Sequence, residues 1–283
     1  MPSTFPVSVD VFSPDPPVDL FDDVRANDVG ALQDAVIAVE NYSIDLKALL
    51  SDGWIPFTAT LTYSSADAPS WVISADADIT SLLKIGMRIK LTHASTVKYF
   101  LVTAVGSYSG GVTLFTVYGG TDYTLTNSAF TLGYYSPVKC PAGFPMAPEK
   151  WTVLLISTIV YSQANPTAGT YYQPGTLSIV VPIGSWRIGC SALLSCSIVN
   201  TQVSMQILLS TTTNSVTDAQ LLGYQIGYSS SVARTLQVFN RLLTLTTKAT
   251  YNLLVITNTT GVTSMDIMGS TATTKIYAES TLL

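Results

Sequence analysis

One histidine, three cysteines and 18 carboxylates are the first residues to question for chemistry in this chain of 283 residues. His93 lies in RIKLTHASTVKYF, which reads as a strand. A catalytic imidazole needs a nucleophile and an orienting carboxylate beside it, and this strand supplies neither, so His93 reads as structural. Cys140, Cys190 and Cys196 show no CxxC spacing and there is no second histidine for an HxxxH pair, so a metal centre is not expected. Cys190 and Cys196 fall six residues apart in one predicted strand. They share a face but sit ~20 Å apart at about 3.3 Å per residue, beyond disulfide reach. The odd count argues against a disulfide framework and for synthesis in a reducing cytoplasm.

Cleavage of glycans would need paired carboxylates. Residues 147–283 offer Glu149, Asp218, Asp266 and Glu279, the first and last near the ends of that stretch. Asp218 closes the turn-like TTTNSVTD. No GxSxG elbow, Walker A loop or GxGxxG is present, and Gly110-Gly111 and Gly119-Gly120 read as turns. The expectation is a non-enzymatic chain with no cofactor and no metal. Aromatic groups remain as recognition chemistry. Tyr171 and Tyr172 lie between prolines in NPTAGTYYQPG, and Tyr224 and Tyr228 follow Gly223 and Gly227. Tyrosine offers a broad apolar face with a polar tip, which makes these four the candidate ligand-facing residues. Tyrosines also fill sandwich cores, and the sequence leaves that alternative open.

The elements that would hold such groups follow from composition and period. Hydrophobic residues make up 47% and charged residues 11% of the chain, less than half the usual charged share of about 25%. A surface so poor in charge is rich in Ser and Thr, covered by partner chains, or both. Residues 1–53 hold ten acids against two bases, a net of −8, while the remainder is close to neutral with no Lys/Arg cluster. Nucleic-acid binding, which needs such a cluster, is therefore not expected. Apolar runs such as Val153–Ile156 are too short to span a bilayer, and no basic segment followed by an apolar stretch opens the chain, so no membrane partner is expected.

Residues 1–27 begin MPSTFPVSVDVFSPDPPVDLFDD, whose prolines forbid a helix. Phe5, Val7, Val9, Val11 and Phe12 are too apolar for a purely solvating tail. They make residues 1–23 a candidate anchoring arm, with a disordered tail as the bland alternative. Residues 28–52 turn helical. Val29, Leu32, Val36, Val39, Ser43, Leu46 and Leu50 follow a 3, 4 spacing, a heptad a/d seam with one polar position. The seam predicts a short coiled-coil-like, oligomerising helix, or else an amphipathic helix packed on its own domain. Residues 54–139 read as short strands of a small β-barrel or sandwich module, residues 140–150, overlapping the proline-rich PVKCPAGFPMAP of 137–148, as a linker, and residues 151–283 as a C-terminal, jelly-roll-like β-sandwich. In this last part Trp186, Ile188, Cys190, Ala192, Leu194, Cys196 and Ile198 alternate onto one face. Arg187, Gly189, Ser191, Leu193, Ser195 and Ser197 fall on the other, small enough for close approach of a neighbouring subunit. The fold class is mainly β.

An acidic, proline-containing arm, the helix DVGALQDAVIAVE and then β modules resemble virion proteins of tailed bacteriophages. WIPFTATLTY, IGMRIKLTHASTVKYFLV, TLFTVYGGTDYTLTN and YYSPVKCPAGFP resemble a module of phage tail-fibre, baseplate-associated and head-fibre proteins. GSWRIGCSALLS and TTKIYAESTLL resemble the trimeric tips of such fibres. The resemblance implies a homotrimer in the virion, held by its N-terminus to other virion proteins and projecting a head toward a host-surface glycan or protein. A capsid fibre or decoration protein without a ligand, and a carbohydrate-binding module, are the alternatives.

Overall fold

In the computed structural model the described residues are 26–283 apart from 121–123, 199–200, 219–220 and 230–231. Side chains are further set aside at 26–29, 44–45, 47–51, 201–202, 224–229 and 232–239. The arm residues Phe5, Val7, Val9, Val11 and Phe12 lie outside the described residues.

One α-helix, α1 (Ala26–Ser51), opens the described chain. It carries no proline, and Gly53 ends it in the left-handed region at φ 73°, where glycine has no Cβ to clash. Seven antiparallel strands follow: β1 (Ile55–Pro56), β2 (Leu61–Asp67), β3 (Ser70–Ala75), β4 (Arg88–His93), β5 (Thr96–Ser109), β6 (Val112–Tyr118) and β7 (Phe130–Ser136). Their order in the sheet is β1-β7-β4-β5-β6-β3-β2. β1 and β2 are its two edges and do not pair with each other, so the sheet is open and the barrel form is not realised. Gly110 and Gly111, at φ 61° and 84°, turn β5 into β6, the tight hairpin expected of adjacent residues with positive φ.

Two sheets make the remainder a β-sandwich. The strands are β8 (Thr152–Ser157), β9 (Val160–Ala164), β10 (Tyr171–Tyr172), β11 (Ser178–Val181), β12 (Gly184–Ser197), β13 (Thr201–Ser210), β14 (Leu222–Ser229), β15 (Val232–Leu245), β16 (Ala249–Thr257), β17 (Ser264–Met268) and β18 (Thr274–Ser280). One sheet runs β10-β16-β13-β14 with β11 also on β16. The other runs β8-β18-β12-β17-β9 with β15 also on β12. β12 pairs with β15 over its whole length, from Gly184↔Leu245 to Ser197↔Val232, and shares its other edge between β18 and β17. Trp186, Ile188, Cys190, Ala192, Leu194, Cys196 and Ile198 all enter the core between the sheets, as the alternation predicts. Each large apolar side chain so buried contributes roughly 1.5–3 kcal/mol.

That core does not stop at the sandwich. Successive side chains of a strand point to opposite faces, and β5 uses this twice. Phe100 and Val102 pack inside the first module with Ile73, Ile89, Leu91, Phe115 and Val117. Tyr99 and Leu101 face the other way, into one cluster with Trp54, Tyr118, Phe144, Trp151 and Trp186. Tyr118 meets Trp186 edge to face at 5.1 Å between ring centroids. The proline-rich segment 140–150 therefore does not hold the modules apart. Its Phe144, and Trp151 immediately after the segment, are buried between them, and the indole N–H of Trp151 donates to the Pro145 carbonyl at 2.7 Å.

Candidate functional site

The residues suited to chemistry stay separate. His93 is buried, with Nε2 2.7 Å from Ser128 Oγ and 3.2 Å from the Thr126 carbonyl, and its ring lies 5.7 Å from Phe130. These partners fasten the 124–128 loop to β4 and include no carboxylate. Cys190 and Cys196 are buried free thiols and Cys140 an exposed one. Burial pushes the Cys190 thiol far up and the Cys196 thiol up to about 11, Asp266 adding to the latter. Asp218 is paired with Arg241, while Asp266 accepts from Ser264 Oγ at 3.2 Å. Among the described residues no three His, Cys, Asp or Glu side chains come together as a metal site would need.

The predicted ligand-facing tyrosines are placed as follows. Tyr171 and Tyr172 form β10, paired with Ile256 and Val255 of β16. Both are half-buried. Tyr171 leans on Leu208, Leu254 and Ile256, outside the sandwich core, and Tyr172 on the core itself. Thr167 donates its backbone N–H to the Tyr172 hydroxyl at 2.8 Å, and that bond lowers the phenol's pKa. The pair is thus built into the sandwich on opposite faces of one strand, not displayed together on a loop. Tyr224 and Tyr228 lie on β14, in register with Gln206 and Gln202; their side chains fall outside the described residues.

The seam residues give a different picture. Leu32, Val36 and Val39 are 58%, 48% and 43% exposed, and Leu46 is 39% exposed. Ser43 is exposed as well. Val29 and Leu50 belong to α1, but their side chains lie outside the described residues. Near its C-terminal end the helix meets the first module across a cleft of about 420 Å³ lined by Tyr42, Leu46, Ile55, Pro56, Thr58, Leu82 and Tyr135.

The junction between helix and module is tightly held. Ala142 donates its N–H to the Asp52 carbonyl at 2.7 Å, and the Trp54 indole N–H donates to the Ala142 carbonyl at 2.8 Å. Lys90 Nζ lies 4.8 Å from the Trp54 ring and 4.3 Å from that of Tyr134. Burial lowers the Lys90 pKa, with Asp52 opposing. Beside it the buried Arg88 guanidinium sits 5.4 Å over Phe144. Sequence reasoning passed over Trp54, Lys90 and Phe144. The one available signal was two large aromatics, Phe144 and Trp151, in or next to a proline-rich stretch.

No family model matches this chain, and no curated protein does. Among solved structures, dimeric latent PorU from Porphyromonas gingivalis aligns at 10% identity and a TM-score of 0.28, over 82% of this chain and 25% of that one. The structure of infectious bursal disease virus Gx strain aligns at 13% identity and a TM-score of 0.28, over 82% and 63%. T=1 particles derived from infectious bursal virus give 12% identity and a TM-score of 0.23, over 81% and 60%. The chain spans between 25% and 63% of the length of these structures.

Proposed function

We propose that this chain is a non-enzymatic structural component of a tailed-phage virion, made in the host cytoplasm and self-associating through α1 as a trimer. Residues 1–23 attach it to other virion proteins, and the β-sandwich is the outward end. The observation that carries the reading is the exposure of Leu32, Val36 and Val39, apolar side chains in heptad register on a helix that leaves them to solvent in the single chain. An isolated helix with such a stripe is marginal in water, and packing of the stripe is what stabilises it. The low charge content and the resemblance of segments within residues 54–145 to phage fibre modules support the same assignment.

Attachment to a host-surface glycan or protein is the finer reading of the outward end. The half-burial of Tyr171 and Tyr172 favours the rival, a capsid fibre or decoration protein with no ligand of its own. Light scattering on the purified chain tests the oligomer, and a stable monomer at micromolar concentration rejects it. Antibody labelling of particles separates tail from capsid. Binding of the purified oligomer to susceptible cells, little changed between low and physiological salt, is expected of a neutral adhesive head. No binding, with capsid labelling, establishes the decoration role.

A further inference from the structure

We propose that the cleft between the C-terminal half of α1 and the β1/β7 edge seats the α1 helix of a neighbouring copy, so that the first β module builds part of the subunit interface. The inference rests on the self-association proposed above and adds the module to it. In the heptad that makes Val36 an a position and Val39 a d position, Leu46 is also d and Tyr42 is g. Both line the cleft. Any helix packed on the seam at the level of Leu46 therefore enters the space whose far wall is Ile55, Pro56, Leu82 and Tyr135.

That wall is held in place. Leu82, 42% exposed, sits on a turn closed by Leu83 N–H to the Ile79 carbonyl at 2.9 Å and by Lys84 Nζ to the Thr80 carbonyl at 2.8 Å. Asp78 accepts from the Thr80 hydroxyl at 2.7 Å and from its N–H at 3.1 Å. On the other side, the hydrogen bonds joining Asp52, Trp54 and Ala142 hold the chain directly after the helix end. Two fixed walls with exposed apolar groups leave an open slot whose polar groups are few, the hydroxyls of Thr58, Tyr42 and Tyr135. Its occupant must be apolar and must match the seam. α1 is the one α-helix among the described residues, so the matching stripe is found on a second copy. Ala35, Tyr42 and Leu49 occupy successive g positions, which widens the apolar face beyond a and d as in assemblies of more than two helices.

The test uses the full chain. Leu82→Asp and Val36→Asp are each compared with Leu114→Asp, a change at a residue 43% exposed and outside the cleft, with circular dichroism confirming the β fold in all three. Light scattering is expected to show association weakened at least ten-fold by Leu82→Asp and Val36→Asp and unchanged by Leu114→Asp. In a Cys140→Ser background, Leu82→Cys is expected to be alkylated at least ten-fold more slowly in the oligomer than when Val36→Asp is added. If Leu82→Asp associates like the unmodified chain while Val36→Asp does not, the module has no part in the interface and the inference fails alone. A Leu82→Cys thiol that stays protected in the monomeric Val36→Asp chain overturns it too, and assigns the cleft to residues 1–25 of the same chain. An unmodified chain that is itself monomeric overturns both the self-association and this inference.

Discussion

Phe144 lies flat on Trp151, their ring centroids 5.1 Å apart and their planes 6° from parallel. Both rings meet the first module, Phe144 touching Tyr99 edge to face at 6.0 Å and Trp151 approaching Tyr118 at 6.2 Å, and Tyr118 in turn meets Trp186 of the sandwich at 5.1 Å. Two aromatics supplied by the connecting segment thus close a core to which both β modules contribute, and neither module has a complete hydrophobic surface without the other.

Trp151→Ala is expected to destabilise the chain by ~3–5 kcal/mol, the range for deleting a fully buried large aromatic. The loss should reach both sides of the joint. Hydrogen exchange is expected to quicken in β5 and β12 alike; a change confined to the sandwich would show that the modules are only loosely coupled.

Gly120 stands at φ 81°, and a Cβ there would lie 2.3 Å from the Lys150 carbonyl oxygen. Gly120→Ala is expected to cost well over ~1 kcal/mol, because a left-handed backbone and a backbone clash act together. Gly110→Ala, where a Cβ meets open space, bears the conformational cost alone, about 1–2 kcal/mol. Chemical denaturation of the two variants compares them, and equal losses would remove the close approach as the cause.

The heptad register makes neighbouring residues of α1 unequal. Val36 and Ile37 are 48% and 53% exposed, yet only Val36 lies on the seam. Val36→Asp is expected to dissociate the proposed oligomer, and Ile37→Asp to leave its mass unchanged in light scattering. Equal sensitivity at both positions would point to a contact other than a coiled coil.

Thiol reactivity follows burial. Thiolate is the reactive form, and burial raises the pKa of Cys190 and Cys196, the latter to about 11. At pH 8 the folded chain is expected to react rapidly at Cys140 alone and at all three cysteines after denaturation, read with a chromogenic disulfide. Rapid reaction of a second thiol in the native state would contradict the core assignment.

Hydrogen bonds from the Thr80 side chain and then its backbone hold the Asp78 carboxyl below the usual carboxylate range. A folded-state pKa below the unfolded value, ~3.9 for aspartate, means that the carboxylate's contribution is present above that pH. It is lost as the pH falls through the folded value. Thr80→Val is expected to raise the Asp78 pKa in an NMR titration and to flatten the small loss of stability below about pH 4. No change in the titration would leave the cap without electrostatic weight.

Much of this fold is legible in the sequence where local rules decide. The alternation from Trp186 to Ile198 predicts the buried face of β12 residue by residue, and adjacent glycines predict the β5–β6 turn. The helix read over residues 28–52 spans Ala26–Ser51. Tertiary choices are less visible. WTVLLISTIVYS reads as one strand, but it breaks after Ser157, whose hydroxyl accepts the Ile159 N–H at 3.2 Å. Its halves, β8 and β9, lie on opposite edges of the same sheet, and no glycine or proline marks the break. Tyr171 and Tyr172 read as loop residues because flanking prolines and glycines conceal a two-residue strand whose partner, β16, is about 80 positions further on. Prolines likewise conceal the aromatic joint, since they signal a connector without saying whether it is exposed or packed. The a/d spacing of the seam, by contrast, is visible in the sequence, which leaves open whether that face packs on its own domain, whereas the cleft beside it required the position of Leu82.

The clamp of Asp52, Trp54 and Ala142 also decides how the molecule carries load. A pull on the sandwich against a fixed α1 finds no slack hinge between them. Tension leaving the helix passes through the Trp54–Ala142 hydrogen bond into the same segment that bears Phe144 and Trp151, and from there into β8. The joint lies on that path between helix and sandwich, so under force it should yield before the fourteen-residue ladder of β12 and β15, whose many hydrogen bonds share a shearing load. Stretched end to end, the molecule would lengthen first by parting two aromatic rings.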